Sequence, residues 1–262
     1  MRKFLIFAVL FALASTQAHA QRLPPFDVER LHPDVRAAAL RAREAEARAE
    51  AAAAAAREAA QRGEEAAERA RSGATGHRAY DFENDQQQRR YEGGWSEEER
   101  AAGFGVLTFG AGVYEGDRYA GSFRCGRKYG PGVYYHAPNQ GDRAPNRYEG
   151  DYVFGEAERY GVFYGSSGFR HVGRSGRDAF NGPAVYYFPN GERYEGEFAR
   201  NRPNGFGVLW SERGRVRRSG IWTDGRLTTR LRRDDPSVHV EPAAVADASA
   251  QGWARCASIA RE

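Results

Sequence analysis

Two patterns of apolar and polar positions divide the chain. Residues 34–71 are almost entirely Ala, Arg and Glu, with Val35 and Leu40 as the only large apolar side chains. These are strong helix formers, and Asp34 after Pro33 supplies an N-terminal cap. Glu44/Arg48, Glu58/Arg62 and Glu65/Arg69 are i,i+4 pairs in the favourable orientation. One helix is predicted over 34–72, on the order of 55 Å long and ended by Gly73 and Gly76. From Tyr91 onward the period changes to two. In 193–210, RYEGEFARNRPNGFGVLW, Tyr194, Gly196 and Phe198 alternate, a turn-rich Asn201-Arg202-Pro203-Asn204 follows, and Gly205, Gly207 and Leu209 alternate again. This is the pattern of a β-hairpin whose rings share a face with its glycines. Glycine leaves room for a ring to lie across the backbone.

The same frame recurs along the second half of the chain. Tyr119-Ala-Gly121-Ser-Phe123 leads to Gly130 and Gly132, and Tyr148-Glu-Gly150-Asp-Tyr152 leads to Arg159 and Gly161. A weaker copy has His171, Gly173, Gly182 and Ala184, with Ser175 in the second aromatic position. Tyr91-Glu-Gly93-Gly-Trp95 opens the series with its glycine pair one residue late, and Arg218-Ser-Gly220-Ile-Trp222 closes it without one. Successive starts at 91, 119, 148, 171, 194 and 218 are 28, 29, 23, 23 and 24 residues apart, which marks a repeat of about 23 residues with insertions in the first two units. Those insertions, 109–117 and 136–147, read as loops on one edge of the array.

The units resemble the MORN family, membrane occupation and recognition nexus repeats, whose pattern is Tyr-x-Gly-[Asp/Glu]-aromatic followed by Gly-x-Gly. Tyr194-Glu-Gly-Glu-Phe198 and Tyr148-Glu-Gly-Asp-Tyr152 carry the resemblance, which extends over about half the chain. It implies a mainly β fold: an elongated MORN β-hairpin repeat array forming a single twisted antiparallel sheet, here preceded by the long Ala/Arg/Glu-rich α-helix. It also implies aromatic side chains along a groove, and binding of proteins, of a second copy, or of anionic membrane surfaces. His171 and Ser175 depart from the pattern, so the fourth unit is expected to be locally open or polar.

The flanks set the expected domain plan. Residues 1–20, MRKFLIFAVLFALASTQAHA, have a basic start, an apolar run and Ala18-His19-Ala20, the anatomy of a secretory signal peptide. The run is shorter than the ~20 apolar residues a spanning helix requires. A polar leader follows at 21–33, then the helix at 34–72, a linker at 73–90, the repeats at 91–227 and a tail at 228–262 with a short helix around Trp253. Trp253 and Ile259 would cap the last repeat. With so few large apolar residues the helix has no leucine heptad seam. It reads as a solvated spacer, the alternative being an oligomerisation stalk paired through alanine faces. Strands this short and this rich in Gly, Glu and Arg do not suit a transmembrane barrel.

Charge and candidate chemistry narrow the function. Loss of Arg2 and Lys3 with the leader takes 39 basic residues to 37 against 35 acids, a balance of only +2. Lys128 is then the only lysine, and arginines interleave with Asp and Glu. That is not the clustered basic stripe of a nucleic-acid surface. The six histidines lie far apart, no serine sits in a nucleophile elbow, and Gly-x-Gly is explained by the repeat, so no metal, cofactor or catalytic site is expected. The recurrent carboxylates of Tyr-Glu-Gly-Asp/Glu read as solvated strand positions. The expected function is an exported, non-enzymatic binding or scaffold protein that uses the aromatic face against a protein or an anionic envelope component. The alternative is a structural, self-associating envelope protein. Candidate binding residues are Trp95, Tyr119, Phe123, Tyr148, Tyr152, His171, Tyr194 and Phe198. Cys125 and Cys256 are a candidate disulfide pair in an oxidising compartment, expected to be the bacterial periplasm.

Overall fold

A computed structural model describes residues 27–82, 85–138 and 145–236. The expected signal peptide, the capping tail and Cys256, the expected partner of Cys125, lie outside these ranges. After a single 3-10 turn at Val28–Arg30 the chain enters α1 (Pro33–Arg71). The helix is followed by β1 (His77–Asp81), β2 (Arg89–Trp95), β3 (Ala101–Phe109), β4 (Arg118–Arg124), β5 (Arg127–Tyr135), β6 (Arg147–Val153) and β7 (Glu156–Tyr164). Then come β8 (Arg170–Gly176), β9 (Ala179–Tyr187), β10 (Arg193–Ala199), β11 (Arg202–Trp210), β12 (Val216–Thr223) and β13 (Arg226–Arg230). All 13 strands form one open antiparallel sheet in chain order, as the hairpin repeat predicts.

Three boundaries differ from expectation. The segment expected to be a linker contains β1, which pairs with β2 and brings Tyr80 opposite Tyr91. The turn between β10 and β11 is Arg200-Asn201, with φ of 48° and 65°, and 202–204 already belongs to the strand. Two successive residues at positive φ match the right-handed twist of the flanking strands. The helix cap is also two residues earlier: His32 precedes Pro33 at the first helical position, and its Nδ1 accepts from the Asp34 amide at 3.3 Å. Asp34 lies inside the first turn, where its charge suits the helix N-terminus.

The largest correction concerns the helix. It is not a solvated spacer: α1 lies along the sheet and touches every strand from β1 to β11. The alanine face that would have formed a stalk seam packs against the sheet instead. From Val35 to Ala70 the helix rises ~53 Å at ~1.5 Å per residue, and the ten steps from β1 to β11 span a similar ~48 Å at ~4.8 Å each. The fit also holds unit by unit. Val35, Ala42, Ala49, Ala56, Gly63 and Ala70 are all buried at intervals of seven residues. Seven residues of helix rise ~10.5 Å, and one hairpin of two strands advances ~9.6 Å, so one heptad serves one repeat. Small side chains bring helix and sheet close, above all at Gly63, where an added Cβ would lie 2.7 Å from the Gly105 carbonyl oxygen. Apolar contacts at this interface come from Val106, Ala120 and Val133, from Val162 and Val172, and from Phe206, Val208 and Trp210.

Charges repeat in the same register. The residues that follow the buried heptad positions alternate as Arg43, Glu50, Arg57, Glu64 and Arg71. They meet the repeats in reverse chain order: Arg43 bonds Glu195 at 3.2 Å, Glu50 bonds Arg170, Arg57 bonds Glu149, Glu64 bonds Arg118, and Arg71 bonds Glu92 at 2.6 Å. Repeats with Glu after the leading Tyr face an arginine of the helix. Repeats with Ala120 or Val172 there offer only the arginine before that position, and face a glutamate. Glu195 and Glu149, expected to be solvated, are therefore 0% and 3% exposed beneath α1, where the strand arginines Arg193 and Arg147 also bond them.

Candidate functional site

Among the described residues the opposite face of the sheet carries no helix and is covered by its own rings. Cross-strand register places Tyr91, Leu107, Tyr119, Tyr134, Tyr148, Phe163, His171, Tyr186, Tyr194 and Leu209 in one row. Each leading Tyr lies over the neighbouring glycine row: a Cβ built on Gly207 would sit 2.0 Å from the Tyr194 hydroxyl. The second aromatic of each unit bridges to its neighbours. Tyr119 meets Phe123 at 5.2 Å and Tyr152 at 5.0 Å, Tyr148 meets Tyr152 at 5.6 Å, and Tyr194 meets Phe198 at 5.2 Å and Trp222 at 5.1 Å, all edge to face. This is the favourable geometry for aromatic pairs.

The ladder breaks in the fourth unit. After Tyr148 the next bridging position is Ser175, whose hydroxyl shares a 2.8 Å hydrogen bond with the Tyr148 phenol in place of ring contact. The missing ring has crossed the hairpin. Elsewhere an aromatic pairs with a smaller or flexible residue, Tyr152 with Ala157 and Phe198 with Pro203, whereas Ser175 pairs with Phe180. His171 stacks on Phe180 with centroids 3.7 Å apart and also touches Phe198 at 4.3 Å. A shorter ring at His171 leaves the glycine seat uncovered, and Ala184 occupies it; a Cβ on Gly173 would meet the Ala184 methyl at 2.4 Å. His171→Tyr and Ala184→Gly therefore describe one coupled exchange between this unit and its neighbours.

With the bridging ring displaced by one strand, a cavity of about 720 Å³ opens beside Tyr148. Tyr134, Tyr148, Phe163, His171, Phe180 and Tyr186 line it, with Lys128, Ser175, Asp178 and Asn201 among its polar groups. The volume is that of an ordinary small-molecule site, and so is the mixture of apolar wall and few polar groups. His171 is 4% exposed, and its Nε2 has no hydrogen-bond partner among the described residues. Burial pushes its pKa down to about 3, so the ring is neutral at physiological pH. The Lys128 ammonium sits over the rings of Tyr134 at 4.6 Å, Tyr152 at 4.9 Å and Tyr119 at 5.7 Å. Burial lowers its pKa, against smaller opposing effects of Asp178 and Asp117.

Of the candidate binding residues, Tyr148, Tyr152 and His171 border the cavity. Tyr119, Phe123, Tyr194 and Phe198 are buried in the ladder, and Trp95 packs against its first unit. The sequence frame marked the departure at His171 and Ser175. It did not find Lys128 or Phe180, whose signal is the position opposite the bridging aromatic: Ala101, Lys128, Ala157, Phe180, Pro203 and Leu227 across the six units. Among the described residues no cluster of His, Cys, Asp and Glu could hold a metal ion, and no helix is long and apolar enough to cross a membrane.

Hairpins of one frame, stacked in chain order and covered by their own tyrosines, define a repeat protein. The MORN repeat model matches residues 119–139, 148–170, 176–193 and 194–214, so this part of the chain is built of MORN repeats. The third match begins after Ser175 and so passes over the degenerate first strand of the fourth unit. No curated protein matches the chain. MORN repeats point to a binding or scaffold role built on the repeat.

Proposed function

We propose that the chain is an exported, non-enzymatic scaffold that recognises a protein or an anionic envelope component on its aromatic face, at the break in the ladder. The observation that carries this is the placement of Ser175, Phe180 and His171: three substitutions in one unit remove a bridge that the neighbouring units keep. A sheet stabilised only by repetition gains nothing from this gap. The helix-covered face is committed to α1, so the uncovered face is the one left for recognition. Export follows from the leader, and the envelope is the compartment it implies.

The test is to move the ring back. Ser175→Phe with Phe180→Ala exchanges the pair across β8 and β9, conserves volume and closes the cavity. The chain from Gln21 and this variant, each shown to be folded by its thermal unfolding, are used to retain components of native envelope extract. A component held by the natural chain and lost by the exchange variant supports the reading. Equal retention by both forms would remove the cavity from the function.

A further inference from the structure

Two of the polar groups of the cavity, Lys128 and His171, specify a ligand more closely than its walls do. Lys128 has no carboxylate partner among the described residues. Asp178 and Asp117 act on it electrostatically without an ion pair, and both accept hydrogen bonds from other groups. Asp117 accepts from the Tyr134 phenol at 2.6 Å and the Ala137 amide at 2.7 Å, and Asp178 accepts from the Ala157 amide at 2.7 Å. The ammonium is instead held only by the faces of three tyrosines, which attract its charge without neutralising it. His171 adds a buried nitrogen that lacks a partner, and such a group loses free energy until something bonds it. Ser175, Asp178 and Asn201 add further polar atoms, and the broad apolar part of the wall is aromatic, with Phe163, Phe169 and Tyr186 nearly parallel at 5.8 Å and 5.3 Å. Flat apolar bodies stack on such surfaces.

We infer that the cavity binds a small organic carboxylate with a flat apolar body, its carboxylate on the Lys128 ammonium and its body against the rings around His171 and Phe169. The inference rests on the cavity being the recognition site proposed above. A cationic ligand is disfavoured because Lys128 already occupies the tyrosine faces that would receive it. A neutral sugar would leave the ammonium unpaired. The His171 ring, neutral at ordinary pH, can donate to the second carboxylate oxygen or accept from a hydroxyl on the ligand.

The experiment uses naphthalene-2-carboxylate as the probe, with naphthalene-2-carboxamide and naphthalen-2-ylmethylammonium as matched neutral and cationic compounds. Binding to the full chain is measured by calorimetry. The carboxylate is expected to bind, the amide about ten- to a hundredfold more weakly, as loss of one charge-assisted hydrogen bond implies, and the ammonium not at all. Lys128→Met should bring carboxylate and amide to the same affinity while the thermal unfolding of the chain stays close to that of the parent. Ser175→Phe with Phe180→Ala should abolish binding of both. Equal affinity for carboxylate and amide in the natural chain, or tighter binding of the ammonium, overturns the inference and leaves the cavity standing as a binding site. Binding of the carboxylate that survives the ring exchange places it outside the cavity and overturns the inference too. If no naphthalene compound binds, the carboxylate assignment fails, while retention of an envelope component that the ring exchange abolishes would still uphold the recognition reading.

Discussion

The two faces of this sheet solve the same problem with opposite materials. A single layer of strands must cover apolar surface on both sides. One side is covered by a helix almost without large side chains, and the other by tyrosines folded down over glycines. On the helix side the residues are small, so specificity comes from charge: five alternating Arg and Glu residues of α1 meet five repeats in order. On the aromatic side the charge is almost absent, and specificity comes from ring shape. The contrast explains why departures from the repeat are tolerated differently. A substitution under the helix is matched by a change seven residues along α1, as Val172 is by Glu50. A substitution on the ring side is matched by a local exchange, or it opens space.

The comparison breaks most severely at Glu195. This carboxylate is fully buried between Arg43 and Arg193, and Glu195→Ala leaves both arginines facing an apolar layer. Loss of one partner from a buried ion pair costs about 3–5 kcal/mol. Chemical denaturation should show a loss in that range, and a loss below about 1 kcal/mol would mean that the charges merely decorate the alanine seam. Addition of Arg43→Met and Arg193→Met to the same chain should restore most of the stability, because the charges that Glu195 balanced are then gone.

The aromatic side should respond to acid. His171 has an ordinary pKa near 6.5 when unfolded and is pushed down to about 3 by burial in the native state. Between these values the unfolded chain binds a proton that the folded chain refuses, so stability falls as pH falls, by about 1.4 kcal/mol per pH unit. From pH 6.5 to 5 the loss from this one group is roughly 2 kcal/mol. Stability measured against pH for the parent and for His171→Phe should diverge as the pH falls below about 6.5, the parent being the steeper. Parallel curves would mean that the imidazole is solvated.

Much of this arrangement was legible in the sequence, and the parts that were not have physical reasons. Tyr-x-Gly-x-aromatic fixes strand, face and ring cover together, so the hairpin array and the anomaly at His171 and Ser175 could be read directly. The place of the helix could not. Propensity establishes that 33–71 is helical, but an alanine face has little hydrophobic contrast with its surroundings, and a Leu-seeking heptad search passes over Val35, Ala42, Ala49 and Ala56. The signal lay in comparing two periods: seven residues of helix against 23 residues of repeat. Arg precedes the leading residue of every unit, at 90, 118, 147, 170, 193 and 217, but its partners on the strands and on the helix are defined only once α1 is laid over the sheet. The cavity was hidden for a different reason. Phe180 is an unremarkable strand residue until it is set against Ala157 and Pro203 in the same structural position.

The smallest effect sharpens the comparison best, because it separates the ruler from its energy. Arg57 reaches Glu149 from the helix, yet its own side chain is 51% exposed while that of Glu149 is 4% exposed. Glu149 retains a second partner in Arg147, at 2.8 Å. Arg57→Ala therefore removes a half-solvated charge from a carboxylate that remains paired, and the screened contribution of such a contact is about 0.5–1 kcal/mol. Glu149→Ala at the same contact should cost several times more, since it leaves the partly covered Arg147 and Arg57 without their acceptor. Denaturation of the two single variants measures the asymmetry directly. If Arg57→Ala is as costly as Glu149→Ala, the helix arginines hold α1 on the sheet by themselves. If the asymmetry is found, the alanine heptads supply the attraction, and the alternating charges choose the register in which it is used.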